Sequence, residues 1–370
     1  MELLRAAREA VEAGADVVRL EAGQPSTGAP RQVLEAARAA LDGELLGYTD
    51  AAGIPALRQA IARHYRDDYG VEVDAQRIVV TMGSSSAFVL GFLAAFEVGA
   101  RVAVGVPGYP AYRHTLTALG CTPVVVPTGP DTRYQLTPAH LDGLGPLDGV
   151  IVASPANPTG TMLSADELAA LAAWCRAHDA WLVSDEIYHG ITFGSPATTA
   201  LAVDPEALVI HSFSKRFSMT GWRLGWMVVP EALHGPVLRL AQNLAISAPT
   251  LSQVAAVRAF EATGELDGHV RRYAANREVL LRGLPEAGLD RFVAPEGAFY
   301  VYVDVSEHTD DAVAFCEELL REAGVACTPG VDFDEVRGRH HVRLSFAGRT
   351  AEVEEACRRL GRHLRARRLV

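Results

Sequence analysis

The chain has 370 residues, 49% of them hydrophobic, enough for two domains or for one large domain with a smaller companion. Its 45 acidic and 34 basic residues give a formal charge of −11, which argues against nucleic acid or an anionic membrane as the main partner, because both reward a basic face. Five cysteines, odd in number and without a C-x-x-C pair, suggest neither a zinc site nor a disulfide framework and fit a reducing cytoplasm.

At the N-terminus, Met1-Glu2-Leu3-Leu4-Arg5 opens an amphipathic helix instead of the long apolar stretch of a signal peptide. The apolar run from Ala87 to Phe96 stops at Glu97, short of the roughly 18 residues a membrane span requires. From about residue 75, short β-branched runs alternate with helical stretches, the pattern of a parallel α/β sheet. Strands are predicted at 77–81, 101–104, 122–126, 149–153, 180–184, 208–212 and 224–229, with helices between them. The clearest helix start is Ser164-Ala165-Asp166-Glu167, a capping box ahead of the run from Leu168 to His178. Beyond Pro249, long helices are predicted to about Gly283, then strands near 299–305 and 341–345 and helices near 310–323 and 350–366. The predicted fold class is therefore α/β, with a large domain over 31–275 and a smaller α+β domain formed by 1–30 and 276–370.

Lysine occurs once, at Lys215, against 33 arginines. Codon bias explains arginine replacing lysine as a solvated cation, but not the retention of a single lysine. A guanidinium is never deprotonated in a protein, whereas an amine can become a neutral nucleophile and form a Schiff base. Lys215 follows the predicted strand 208–212, and open α/β sheets bind ligands at the carboxyl ends of their strands. Ser212, Ser214 and Arg223 surround it with two hydroxyls and a bidentate cation suited to a phosphate. Strand 77–81 runs into Met82-Gly83-Ser84-Ser85-Ser86 and a helix, so glycine permits close approach and the helix N-terminus offers free N–H groups to an anion. Asp185 and Asn157 stand at two further strand ends, where a turn or cap is the ordinary use of either residue type.

Taken together, Asn157-Pro158-Thr159-Gly160, Ser184-Asp185-Glu186-Ile187-Tyr188, and Ser212-Phe213-Ser214-Lys215 with Gly221-Trp222-Arg223-Leu224-Gly225 resemble one family in order and spacing. They are similar to the class I and II aminotransferases of the aspartate aminotransferase superfamily, which use pyridoxal 5′-phosphate on the fold-type I scaffold. The likeness runs from Gly23-Gln24-Pro25 to Arg343-Leu344-Ser345-Phe346. It implies a mostly parallel seven-stranded sheet in the large domain and ping-pong transfer of an amino group from an L-amino acid to a 2-oxo acid. Lys215 would hold the cofactor as a Schiff base and move the substrate proton. Asp185 would pair with the ring nitrogen, and Asn157 and Tyr188 would bond the ring oxygen. Gly83, Ser84, Ser85, Ser212, Ser214 and Arg223 would cradle the phosphate, and Tyr109 would stack on the ring. Arg343, with Gly23 and Asn157, would hold the substrate carboxylate, and Tyr48 would reach the phosphate of a neighbouring subunit, which implies a homodimer with shared sites.

The sequence also departs from the family pattern. The segment after Gly23 lacks the usual acidic residue, and Pro329-Gly330-Val331-Asp332-Phe333-Asp334 carries two acids where small residues are common. Those acids would disfavour a dicarboxylic donor, no arginine is evidently placed for a distal carboxylate, and Arg216 is expected to turn to the interface or to solvent. Aliphatic and aromatic donors are therefore favoured over aspartate. The alternative reading is a carbon–sulfur β-lyase or a decarboxylase on the same scaffold, because the cofactor supplies the carbanion chemistry and the protein selects the bond.

Overall fold

A computed structural model describes residues 2–43 and 45–367. Its strands are β1 (Val18–Arg19), β2 (Ile78–Thr81), β3 (Arg101–Val106), β4 (Thr122–Pro127), β5 (Gly149–Ala153), β6 (Trp181–Asp185), β7 (Leu208–Ser212), β8 (Gly225–Val228), β9 (Tyr300–Asp304), β10 (Val325–Ala326), β11 (Thr328–Pro329) and β12 (His341–Ser345). Its helices are α1 (Glu2–Glu12), α2 (Arg31–Gly43), α3 (Pro55–Tyr69), α4 (Gly83–Ala95), α5 (Pro110–Ala118), α6 (Pro138–Leu141), α7 (Ala165–Ala177), α8 (Glu231–Leu244), α9 (Thr250–Ala256), α10 (Thr263–Ala287), α11 (Ala312–Glu318) and α12 (Thr350–Arg367). Among them no helix is long and apolar enough to cross a membrane.

Seven strands form the central sheet in the order β2-β8-β7-β6-β5-β3-β4, and every pairing is parallel except those of β8 with β2 and β7. Every residue of β2, β7 and β8 is buried, which is why they read as mainly apolar runs, broken only by Thr81, His211 and Ser212 at their ends. Such a run looks the same in either direction, so the reversal of β8 left no trace in the sequence pattern. Helix α4 is apolar on all sides because it packs against β7, β8 and α8. The capping box at α7 forms: Ser164 Oγ accepts from the Glu167 N–H at 3.2 Å, and the Glu167 carboxylate accepts from the Ser164 N–H at 2.8 Å.

A second core joins Val18 and Leu20 to the β9 and β12 strands, α11, α12 and the end of α10, and it also takes in Ile187, Tyr188 and Ile191 from beyond β6. The predicted helix near 310–323 is shorter as an α-helix, because the chain widens into a π-type turn at Leu319–Ala323 and stops at Gly324, whose φ of 63° suits glycine. Helix α10 runs unbroken through residues 275 and 276.

Candidate active site

Strand register gathers the chemistry. Ala153 pairs with Asp185, Ser212 with Gly225, and Gly225 with Thr81, so the segments after β2, β5, β6 and β7 and the one before β8 meet at one sheet edge. Lys215 lies there, and its Nζ donates to the Gly23 carbonyl at 2.7 Å. Desolvation, helped by the positive charges of Arg343 and Arg223, lowers its pKa to about 8 against the upward pull of Asp185. Asp185, 3% exposed, accepts from the Ile187 N–H at 3.1 Å and from the Tyr112 hydroxyl. Burial raises this carboxyl to about 6, although the Tyr112 and Ile187 bonds and Lys215 favour its charged form. Above pH 6 the site thus holds a carboxylate close to an amine that is easily made neutral.

Around the start of α4 the backbone forms a cradle. Gly83 has a φ of 74°, and a Cβ there would come within 2.6 Å of Arg223 Nη2. A Cβ on Gly225 would meet the backbone of Gly83 and Ser84 at 2.9 Å, so both glycines are needed for the close approach. Ser212 is buried and its Oγ accepts from the Ser214 N–H at 3.0 Å, while Arg223 Nη1 donates to the Thr220 carbonyl at 3.0 Å. Ser84 is half-buried and Ser85 exposed on the first turn of α4. Free N–H groups of a helix N-terminus, two serines and an arginine make a donor set that fits a phosphate monoester. The combination of that cradle with the amine, the Asp185 carboxylate and an aromatic wall fits pyridoxal 5′-phosphate.

Arg343 is 7% exposed on β12 and lies over the rings of Tyr300 at 4.4 Å and Phe333 at 4.9 Å. It donates to Asn157 Oδ1 at 3.0 Å, to the Glu21 carbonyl at 2.8 Å and to Thr328 Oγ1 at 3.2 Å, leaving its Nε buried without a partner. Arg343, Gly23, Tyr109 and Asn157 share the wall of a cavity of about 1460 Å³. The hydroxyl of Tyr188 lies 2.8 Å from that of Tyr300, and Lys215 Nζ is 5.8 Å from the centre of the Tyr188 ring.

Tyr48 stands apart from this assembly, 84% exposed in the segment before α3. Arg216, expected at the interface or in solvent, does not turn to solvent: its side chain is 15% exposed, packed against Gly190 and paired with Asp267 on α10. Of the two acids noted after Pro329, Asp332 lines the cavity, whereas Asp334 is buried and engaged by Arg337 and the N–H groups of Val336 and Arg337. Sequence reasoning missed Tyr112 and Tyr300. Tyr112 was within reach, because it lies three residues after Tyr109, on the first turn of the helix that Tyr109 precedes, with the two rings 5.4 Å apart. Tyr300 had no local signal, since its place opposite Tyr188 depends on the pairing of β9 with β12.

A pH effect follows from the lowered amine. In the cofactor-free protein the neutral, nucleophilic form of Lys215 is populated above pH 8 and protonated below it. The rate at which added pyridoxal 5′-phosphate is captured, followed by absorbance, is therefore expected to rise through about pH 8 and level off above it. A rate still climbing at pH 10 would show an amine of ordinary basicity.

The family model described as aminotransferase class I and II matches residues 15–360. The valine–pyruvate aminotransferase of Mycobacterium tuberculosis is 52% identical over 366 residues, covering 98% of this chain and 94% of that protein. The aspartate/prephenate aminotransferase of Thermus thermophilus is 36% identical, covering 95% and 92%. Among solved structures, an aminotransferase from M. tuberculosis superposes with a TM-score of 0.97 at 51% identity, covering 99% of this chain and 96% of that one. The T. thermophilus aspartate aminotransferase with maleate reaches 0.93 at 34% identity, covering 98% and 95%. A polar cluster at the strand ends of a fold-type I sheet, matched along nearly its whole length, thus has one family behind it, and the chain belongs to the class I and II aminotransferases, enzymes that depend on pyridoxal 5′-phosphate.

Proposed function

We propose that the enzyme draws its amino group from an aliphatic L-amino acid such as valine and passes it to a small 2-oxo acid such as pyruvate. The observation that carries this reading is the wall around Arg343. Val331, Phe333, Pro329, Val89 and Leu320 make it apolar, and Glu317 and Asp332 add negative charge that repels a second substrate carboxylate. Two other arginines reach the same cavity, Arg5 and Arg321, but their side chains are 67% and 70% exposed and lie beside Glu9 and Glu322. The M. tuberculosis relative named for valine and pyruvate supports the same choice.

In this reading the bound cofactor supplies the sink for negative charge developing at the substrate α-carbon. Arg343 holds the substrate carboxylate through its planar fork, and Asn157, bonded to that guanidinium, fixes its orientation. Lys215, steadied on the Gly23 carbonyl, would take the proton from the substrate α-carbon and return it two atoms further along, past the nitrogen. Asp185 keeps the ring nitrogen protonated, and Tyr112 holds the carboxylate in place. Tyr188 and Asn157 donate to the ring oxygen, Tyr109 covers the ring, and Gly83, Ser84, Ser85, Ser212, Ser214 and Arg223 receive the phosphate. Residues 31–275 act as the cofactor-holding body, and 1–30 with 276–370 as the smaller domain that brings Arg343. The test is the visible spectrum of the loaded enzyme after adding single amino acids without a 2-oxo acid. Valine should bleach the band and pyruvate restore it, while aspartate should be at least about tenfold less effective, the discrimination of roughly 1.4 kcal/mol expected from a mismatched charge. Equal bleaching by aspartate would overturn the aliphatic assignment.

The working form is a cytoplasmic homodimer. Leu41, Leu45, Leu244 and Ile246 are 63%, 98%, 61% and 50% exposed, and Tyr48 lies in the same region, where the Thr49 N–H bonds Ser247. If Tyr48 serves the phosphate of the partner's site, mixing inactive Lys215→Ala subunits with impaired Tyr48→Phe subunits creates hybrids with one whole site. Activity should then rise above the sum of the two parents, and a purely additive result would place Tyr48 outside the shared site.

A further inference from the structure

A second set of polar residues stands beside the cofactor-side ones. On β7 His211 precedes Ser212, and neighbouring residues of a strand face opposite ways, while His189 lies in the turn that follows β6. A cavity of about 480 Å³ lies among α3, the Lys215 loop and residues 257–266, with His64, Tyr69, His189, His211, Arg216 and Phe260 in its wall. Three buried polar atoms of this wall have no partner: Nε2 of His64 and of His211, and Nη1 of Arg216. His189 and His211 are 2% and 1% exposed. A buried polar atom left unpaired costs about 1–3 kcal/mol, so three in one wall call for an occupant that supplies partners.

Their hydrogen bonds state what that occupant must offer. The Ser212 N–H donates to His211 Nδ1 at 2.8 Å, so His211 carries its proton on Nε2 and presents a donor. His64 Nδ1 faces the Asp68 carboxylate at 3.0 Å, which leaves its Nε2 turned away from that partner. Arg216 gives Nη2 to Asp267 and keeps Nη1 free. Burial keeps His189, held down to about 3, and His211 neutral. Phe217 and Phe260 make an apolar side, and Asp67, Asp68 and Glu261 stand near the mouth. A metal ion does not suit the arrangement, since among the described residues the one set of three ligand atoms within 4.8 Å of one another is Glu318, Glu322 and His363, elsewhere in the chain.

We propose that this rear cavity binds a free α-amino acid with an apolar side chain. The carboxylate sits on Arg216 Nη1 and His211 Nε2–H, the ammonium faces the acidic mouth beside His64, and the side chain lies on Phe217 and Phe260. The volume is within the range of small-molecule sites, roughly 300–1,000 Å³. The site is separate from the Arg343 cavity, with which it shares no lining residue.

The experiment is fluorine NMR of the cofactor-loaded enzyme with 4-fluoro-α-methylphenylalanine, which has no α-hydrogen to lose. Arg343→Gln removes binding at the catalytic cavity, and in that background a bound signal should remain. It should weaken at least tenfold in Arg343→Gln/Arg216→Gln and in Arg343→Gln/Phe260→Trp, where the larger ring fills the apolar side. The visible cofactor band reports that each variant is folded and loaded. No bound signal in Arg343→Gln at millimolar probe would mean catalytic-site binding only, with water in the rear cavity, and would overturn the proposal. A signal unchanged by both rear substitutions would overturn it equally.

Discussion

Lys215→Ala should lower transamination by about 10⁴-fold, the upper end of what a positioned acid–base group contributes, and nothing else in the chain can restore it. The reason is compositional as well as geometric. There is no second lysine to stand in, and the Gly23 carbonyl and the nearby arginines are arranged around one amine. Steady-state rates with the best donor provide the check, and added small amines should recover part of the loss because they can enter the space the side chain leaves. A variant keeping wild-type turnover would remove Lys215 from the mechanism.

Asp185→Asn should cost about 10³-fold in the rate of α-proton removal, measured with an α-deuterated donor. Two opposite charges in contact are worth about 4 kcal/mol at an effective dielectric near 20, close to three factors of ten in rate. The amide keeps the size of the side chain and can still meet Tyr112, so cofactor content should fall far less than the rate. Parallel losses of content and rate would make Asp185 a structural residue. Acid should act in the same direction as the substitution. The carboxyl, raised to about 6, is charged above that pH and becomes neutral as pH falls through it, so the cofactor-free site loses its anion near pH 6, not near 4.

What the sequence made legible was whatever is encoded locally. Strand β7 and the capping box of α7 are written in consecutive residues, and both were found with correct or nearly correct ends. Lys215, Asp185, Asn157 and Arg343 stand out as candidates because each lies in a short run resembling a family motif. The direction of β8 was not legible, since burial on both faces erases the alternation that marks orientation to solvent. The Tyr188–Tyr300 contact spans 112 residues and depends on how the smaller core docks, which periodicity does not report. That Arg216 turns from solvent was hidden for a related reason. Next to a motif an arginine looks like a surface residue, and only Asp267 on a distant helix and the bare backbone of Gly190 make room for it inside.

The reversed strand β8 has a mechanical consequence. Because it returns from the edge at which β7 ends, the loop between them begins with Ser212, Ser214 and Lys215 and finishes with Arg223, and both of its ends are riveted to the same place by the pairing of Ser212 with Gly225. The amine and the guanidinium are thus the two jaws of one clasp, and their separation is set by a single hairpin instead of by the docking of separate strands. Elsewhere the sheet is joined by long helical crossovers that tolerate lengthening or rerouting, whereas a residue gained or lost within 213–224 would change the bite of the clasp itself.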